Sequence, residues 1–154
     1  MPLHPAWVKN ISRRVLWAAL EKEINRVDRS EMLTFFKAKC AYCGRTLGAR
    51  WHADHLIPVD SGGLNHISNR VPACPCCNEN EKRAQNWETF LAMKCGSNHQ
   101  LLSSRRSLIA TWIKRKMPSA LPVTEEQRAV WRRETFALAT AIDSAWERLK
   151  SVKG

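Results

Sequence analysis

Two closely spaced pairs of cysteines constrain this chain more than any other feature of its sequence. The pairs are Cys40 with Cys43 and Cys74 with Cys77, each of the form Cys-x-x-Cys. Two such pairs on tight turns can present four thiolates tetrahedrally to one Zn²⁺, whereas a single pair cannot close the coordination shell. The alternatives are a redox Cys-x-x-Cys or buried free thiols.

The residues around the cysteines favour zinc over these alternatives. Gly44 follows the first pair and Pro75 lies inside the second, and both residue types favour turns over the helix that carries a redox pair. We expect Cys76 to be a bystander, because its use as a ligand would change the x-x spacing. Cys95 is expected to be a small buried hydrophobic residue near the end of a helix.

The charge of the 154-residue chain points to a polyanionic partner. It carries 25 Lys+Arg against 14 Asp+Glu, a formal net charge of +11. Such an excess raises the local concentration of polyanions, so nucleic acid is the first candidate partner and an acidic membrane surface the second. No run is apolar enough for a membrane span, and the first residues lack the apolar core of a secretory signal. We therefore expect a cytoplasmic protein with reduced cysteines and no membrane partner.

The first half of the chain is predicted to contain two helices and a hairpin. Apolar spacing predicts a helix from Ala6 to Ile24, and Asp28 or Ser30 can cap a shorter second one. From Thr46 to Val59 the pattern changes to short β-compatible pieces followed by a broad loop. Residues Asn69 to Ala73 are the predicted return strand.

The second half is predicted to be helical and basic. The expected helices begin at Asn78, at the cap Asn86 (ending before Gly96), at Ser103 or Ser104 (ending at Met117) and at the capping box Thr124–Gln127 (ending near Lys150). Ser119 to Val123 is the predicted linker. The last helix carries a narrow apolar stripe from Trp131 to Leu149, which suits either the first helix of the same chain or a second copy.

A group of polar residues lies between and beside the cysteine pairs. Asp54 and His55 are adjacent on a predicted strand, so their side chains point to opposite faces unless the strand bends. A carboxylate suits a hard divalent cation, and a neutral imidazole can take a proton from water near pH 7. A lone histidine usually has no such role. Here Asn69 and Asn78 occur near Asp54 and His55, in a segment that the predicted zinc would hold together. This grouping indicates a functional site.

The order of these motifs resembles that of the HNH endonucleases, whose fold is the ββα-metal motif. The matching elements run from Cys40 to Leu91: Cys-x-x-Cys, His-x-Asp-His-x-x-Pro, Gly-Gly-x-Asn, Asn-x-x-x-x-Cys-x-x-Cys-Asn and Glu-Lys-Arg. The resemblance implies an α+β fold, with a small zinc-stapled ββα-metal core flanked by N- and C-terminal helices. We predict a helical flank over residues 1–39, the nuclease core over 40–95 and a basic helical extension over 96–154, together in one compact unit.

The resemblance also implies roles for individual residues. His55 would be the general base, Asp54 and Asn78 would hold a catalytic divalent cation, and Asn69 would hydrogen-bond across the ββ loop to orient His55. The third family position is Asn78 rather than histidine, and its neutral carbonyl favours Mg²⁺ or Mn²⁺ over softer ions, although other divalent ions fit the same donors. The structural zinc ligands would be Cys40, Cys43, Cys74 and Cys77. Predicted phosphate contacts are His52, Arg70, Lys82 and Arg83.

The activity implied by the resemblance is metal-dependent hydrolysis of DNA, by nicking or by double-strand cleavage. Restriction, phage defence, phage packaging and mobile-element homing all use this core. One alternative is an RNA-cleaving toxin with the same core. Another is a zinc-containing nucleic-acid binding module without catalysis, which would leave Asp54, His55 and Asn78 without a reason to occur together. The C-terminal helices are the predicted site of a homodimer or partner-protein contact.

Overall fold

The computed structural model describes residues 4–21, 24–119 and 123–152, except for the side chain of Asp60. Its regular elements are α1 (Pro5–Ala18), α2 (Arg26–Phe35), β1 (His52–His55), β2 (Arg70–Ala73), a π-helix (Cys76–Lys82), α3 (Trp87–Cys95), α4 (His99–Lys116) and α5 (Glu125–Ser151). Helices and a two-stranded sheet with four clustered cysteines confirm the predicted α+β class.

The chain divides into two compact units. The central unit is Glu23–Ala120, and the helical unit is Met1–Lys22 together with Leu121–Gly154. The first and last predicted segments therefore contribute helices to the same unit. The segment boundaries 1–39, 40–95 and 96–154 stay a prediction, and the predicted linker at Ser119–Val123 lies partly outside the described residues.

The helical unit is an antiparallel pair formed by α1 and α5. The ring of Trp17 packs edge-on against that of Trp131, with centroids 4.8 Å apart. Nearer the start of α1, the Lys9 ammonium lies 2.8 Å from the Asp143 carboxylate. Packing of the last helix against the first within one chain is thus observed, while a contact with a second copy stays a prediction. No helix in the described part of the chain is both long and apolar enough to cross a membrane.

Asparagine caps move two helix starts away from their predicted positions. The Asn25 side chain accepts hydrogen bonds from the first turn of α2, and Asp28 completes the capping box instead of being the cap itself. In the same way Asn98 caps α4, so this helix begins before the predicted Ser103 or Ser104. The prediction missed both caps because each asparagine lies outside the apolar periodic segment.

Other helix ends follow local signals more closely. Asn86 caps α3, and the Thr124–Gln127 capping box starts α5, both as predicted. Helix α1 ends at Ala18, earlier than the predicted Ile24, and turns follow it up to Glu21.

The hairpin that carries the polar residues is antiparallel. In its register, His52 lies opposite Ala73 and His55 lies opposite Arg70. The predicted hairpin is therefore present, with its first strand limited to four residues. The Trp112 indole of α4 donates a 2.8 Å hydrogen bond to the Arg70 carbonyl, which attaches the hairpin to the helices behind it.

The helix predicted to begin at Asn78 is a π-helix that begins at Cys76, inside the second cysteine pair. Its wider turns form hydrogen bonds between residues five apart, so such residues lie on the same side. Cys77 and Lys82 are five apart, and both are buried. This geometry turns a lysine into the interior, where its ammonium lies 6.0 Å from the ring centroid of the fully buried Tyr42, which in turn packs against Phe90.

Candidate active site and metal centre

The four predicted zinc ligands lie together at one end of the hairpin. The sulfur atoms of Cys40, Cys43, Cys74 and Cys77 all lie within 4.8 Å of one another, and this group excludes Cys76. The Cys43 and Cys74 sulfurs are 3.8 Å apart. Four ligands at about 2.3 Å from one ion in a tetrahedron have sulfur separations of about 3.8 Å. The donor set and its spacing therefore fit a tetrahedral metal centre.

The first cysteine pair lies on a turn that needs glycine after it. Gly44 has φ +74° and donates its N–H to the Cys40 carbonyl at 2.9 Å. A Cβ added at Gly44 would lie 2.7 Å from the Arg105 guanidinium, which crosses the turn and donates to the Tyr42 carbonyl. Within the cluster, a hydrogen bond from the Cys77 thiol lowers the pKa of Cys40 to about 4. The same hydrogen bond raises the pKa of Cys77, and burial raises the pKa of Cys43, so the cluster favours the thiolate form at Cys40 and the thiol form at Cys43 and Cys77.

Asp54 lies on β1 with its carboxylate directed into the central unit. Oδ2 accepts a 2.7 Å hydrogen bond from the Tyr42 hydroxyl and lies 3.1 Å from the Lys82 ammonium. Among the described residues, no hydrogen bond reaches Oδ1. Burial raises the pKa of Asp54, and Lys82 and Tyr42 oppose this increase. Burial also raises the pKa of Tyr42 well above its usual value, so the phenol stays a donor.

Lys82 holds the backbone of the adjacent residue as well. Its side chain is 1% exposed, and its ammonium donates a 2.6 Å hydrogen bond to the His55 carbonyl. A buried ammonium with these two partners is not at the surface, where a DNA phosphate would meet it. We therefore do not carry the predicted phosphate contact of Lys82 forward.

The ring of His55 contacts Asn65, for which no role was predicted. Nε2 of His55 lies 3.0 Å from Oδ1 of Asn65, which also accepts from the Arg70 guanidinium. Because arginine can only donate, the atom of Asn65 that faces it is the oxygen. Nε2 of a neutral His55 must then carry the proton, and Nδ1 carries the basic lone pair.

Asn69 ties the two sides of the loop between the strands together. Its amide nitrogen donates to the carbonyls of Ile57 and Leu64 at 2.8 and 2.7 Å, and its oxygen accepts from the Ile57 N–H at 2.9 Å. The loop leaves no room for a side chain at Gly63, where a Cβ would lie 1.9 Å from the Ile57 carbonyl oxygen. The Gly-Gly-x-Asn motif therefore has a steric reason.

The remaining predicted site residues differ in their surroundings. Asn78 is partly buried on the π-helix, and no hydrogen bond joins it to Asp54 or His55 in the described residues. His52 lies 3.1 Å from the Glu79 carboxylate. Arg70 donates to the Ala53 carbonyl at 2.8 Å as well as to Asn65, so its guanidinium serves the hairpin. Arg83 is exposed and has φ +49°.

Two residues of this site were missed by sequence reasoning. Tyr42 lies inside the first Cys-x-x-Cys, between Ala41 and Cys43, and neither neighbour suggests a function for its hydroxyl. Asn65 is the last residue of Gly-Gly-x-Asn, so a signal for it was present in the sequence. Its role depends on contacts with His55 and Arg70 that only the folded hairpin brings about.

Comparison with known proteins gives two matches. The family model described as HNH endonuclease matches residues 40–84. The chain is 31% identical over 107 residues to "SPbeta prophage-derived putative HNH endonuclease YoqL" from Bacillus subtilis (strain 168). This alignment covers 64% of the chain and 42% of that protein, so the chain spans less than half the length of this relative. No solved structure matches the chain.

The family match covers the first cysteine turn, the hairpin and the π-helix, and it ends before α3. These are the elements that hold the four cysteines and the buried Asp54. Residues 40–84 of the chain are therefore similar to the HNH endonuclease domain.

Proposed function

We propose that this protein is a metal-dependent endonuclease that hydrolyses phosphodiester bonds of DNA in the cytoplasm. The observation that carries the proposal is the pairing, on one strand of the region similar to the HNH domain, of a carboxylate with an available oxygen and a histidine of defined tautomer. Phosphodiester hydrolysis needs a nucleophilic water and charge compensation at the leaving oxygen. The neighbouring residues Asp54 and His55 provide these two requirements.

His55 is the general base in this proposal. With the proton of the neutral ring on Nε2, the lone pair of Nδ1 takes the proton from the attacking water. The Asn65 oxygen then accepts from Nε2 throughout, since this nitrogen is protonated in both the neutral and the charged ring. Asn69 contributes by fixing the loop that carries Asn65, without contact with substrate.

Asp54, through Oδ1, and Asn78 would hold the catalytic cation. Two oxygen donors completed by water suit Mg²⁺ or Mn²⁺. Such an ion, when bound, compensates the charge that develops on the leaving oxygen. At the cysteine end of the hairpin, the four-cysteine cluster would hold Zn²⁺ in a structural role, because a site with four protein ligands leaves no open position for a substrate.

Charge supports a nucleic-acid substrate. The net charge of +11 favours a polyanion, and the binding should weaken steeply with salt. Arg83 and His52 stay the proposed phosphate contacts, since both are at least partly exposed beside the site. The relative is named as prophage-derived, which supports a phage or mobile-element context for this chain.

The test is cleavage of three substrates by the wild type and one active-site variant. Supercoiled plasmid, single-stranded DNA and transfer RNA are incubated with Mg²⁺, Mn²⁺ or EDTA. We expect plasmid cleavage that requires a divalent ion, and a loss of about 10²–10⁴-fold in His55→Ala, the usual contribution of a general base. His99→Ala is the matched control, because His99 is an exposed histidine at the start of α4.

Each outcome assigns the function differently. Cleavage of transfer RNA alone would replace DNA by RNA as the substrate. Salt-sensitive binding of all three nucleic acids without cleavage would identify a binding module. Wild-type cleavage rates in His55→Ala, with zinc and fold retained, would exclude the proposed base.

A further inference from the structure

The Asp54 carboxylate is contacted by two residues that have no role in the proposed chemistry. Tyr42 comes from the first cysteine turn and Lys82 from the end of the π-helix, and both contact the same carboxylate oxygen, Oδ2. We propose that Tyr42 and Lys82 are positioning residues, which hold Asp54 by Oδ2 so that Oδ1 is presented to the divalent cation. The inference rests on the proposed function, because it concerns the same site.

Tyr42 is itself held rigidly. Its ring is fully buried and packs edge-on against Phe90 of α3, with centroids 5.0 Å apart. Its backbone lies between two cysteines of the cluster, and the Arg105 guanidinium of α4 donates to its carbonyl. Its hydroxyl donates a 2.7 Å hydrogen bond to Oδ2 of Asp54. The cysteine cluster is thereby connected to the carboxylate through one side chain.

Lys82 connects Asp54 with its neighbour. The ammonium lies 3.1 Å from Asp54 Oδ2 and 2.6 Å from the His55 carbonyl oxygen, and so fixes two consecutive residues of β1. A buried ion pair is a costly way to stabilise a fold, because two apolar side chains of similar size are often as good or better. Orientation of Asp54 and of the His55 peptide gives this charge a functional reason.

Contact with a single oxygen is what makes the arrangement useful for a cation. Groups that hydrogen-bond to a metal ligand fix its orientation, and their loss typically costs 10–100-fold in metal affinity or activity. Two donors on Oδ2 restrict rotation of the carboxylate while Oδ1 accepts no hydrogen bond from the described residues. The alternative is that Lys82 competes with the cation for Asp54, which predicts the opposite effect of its removal.

The experiment compares Tyr42→Phe and Lys82→Met with the wild type, all with zinc bound. Binding of Mn²⁺ is measured by electron paramagnetic resonance without DNA. Plasmid cleavage is measured against Mn²⁺ and against DNA concentration. Lys94→Met is the matched control, since Lys94 pairs with Glu81 of the π-helix at 2.6 Å but contacts neither Asp54 nor His55.

Tyr42→Phe keeps the ring and removes only the hydroxyl. We expect its Mn²⁺ dissociation constant, and the Mn²⁺ concentration for half-maximal cleavage, to rise by about 10-fold or more with the KM for DNA unchanged. In Lys82→Met we expect the same weakening, together with a fall in kcat that saturating Mn²⁺ does not restore, because the His55 peptide is no longer held. Lys94→Met should equal the wild type in every measurement.

Several results would overturn the inference. Three of them concern Mn²⁺: unchanged binding in both variants, tighter binding in Lys82→Met, or no binding by the wild type. The fourth is loss of zinc or of the folded state in both variants, which would show that Tyr42 and Lys82 have structural roles. If the wild type binds Mn²⁺ but cuts no nucleic acid, the proposed function fails while the binding measurements still decide the positioning roles. If it cuts DNA and the variants bind Mn²⁺ equally well, only the positioning roles fail.

Discussion

The two ends of the β-hairpin are held in place by different chemistry. At one end the cysteine cluster lies beside β2, and the Ala41 N–H of the first cysteine turn donates to the Pro72 carbonyl at 2.9 Å. At the other end the loop between the strands is held by the amide of Asn69, which bonds only to backbone groups. Asp54 and His55 lie on the strand between these two ends.

The cysteine cluster is expected to keep the central unit folded, whereas the Asn69 hydrogen bonds are expected to keep the loop and His55 in position. A zinc ion bound by four thiolates can contribute as much free energy as a whole small domain possesses. Each hydrogen bond of a neutral amide contributes only about 1 kcal/mol, and more is lost when a buried partner is left unpaired. Damage at the cysteine end should therefore abolish the fold, and damage at the loop end should misplace His55 in a protein that still binds zinc.

The largest effect is expected from Cys74→Ala. Apparent binding free energies of structural zinc, about 10–16 kcal/mol in small zinc peptides, match or exceed the stability of most domains, so the central unit should lose zinc and unfold. Metal analysis and a denaturation curve measure this. Cys76→Ala is the control, because Cys76 is two residues away and outside the cluster. Superimposable curves for Cys74→Ala and the wild type would show that the cluster has no structural role.

A smaller effect is expected at the loop end from Gly63→Ala. The added Cβ would lie 1.9 Å from the Ile57 oxygen and 2.7 Å from the Asn69 amide nitrogen, so the backbone must move. We expect a loss of about 2–3 kcal/mol in unfolding free energy, reduced cleavage and unchanged zinc content. Gly48→Ala is the control, because nothing lies within 4 Å of the added atom there. Equal denaturation midpoints for the two variants would contradict the steric account of this loop.

The same comparison explains how much of the site could be predicted from the sequence. Cysteine spacing, the Asn86 cap and the Thr124–Gln127 capping box are local signals, and the structure reproduces them. The residue pattern itself indicated Asp54 and His55, the resemblance implied their roles, and the structure supplies their surroundings. The contact of Asn65 with His55 depends on how the loop folds back over ten residues, so no local pattern contains it.

Lys82 shows most clearly why local sequence does not always predict whether a side chain is buried. In the sequence it lies among Glu79, Glu81 and Arg83, which is typical of a solvated helical face. An ordinary α-helix would not place it on the side of Cys77, but the π-helix does, because it relates residues five apart. Nothing in the local composition distinguishes the two helices, so the sequence predicts that Lys82 lies on a solvated face, where it could contact a phosphate.

The π-helix also joins the two ends of the hairpin, from Cys76 beside the cluster to Lys82 at the His55 carbonyl. The smallest change in stability is expected from substitution of Arg83, the residue that follows this helix. Arg83 has φ +49° and ψ −119°, a conformation that costs a residue other than glycine about 1–3 kcal/mol. Glycine relieves this strain but adds about 0.4–1 kcal/mol of entropy to the unfolded chain. Since Arg83 is exposed, we expect Arg83→Gly to gain about 1 kcal/mol in stability, while the KM for DNA rises through loss of a phosphate contact.

Two further variants separate strain from charge at this position. Arg83→Ala removes the charge and keeps the strain, so it should match Arg83→Gly in KM but not in stability. Arg83→Lys keeps both, and should resemble the wild type in both measurements. A wild-type KM in Arg83→Gly would remove Arg83 from the substrate contacts. Equal stability of the glycine and alanine variants would mean that the backbone at Arg83 is not strained. The positive φ at the end of the π-helix would then carry no conformational free-energy cost.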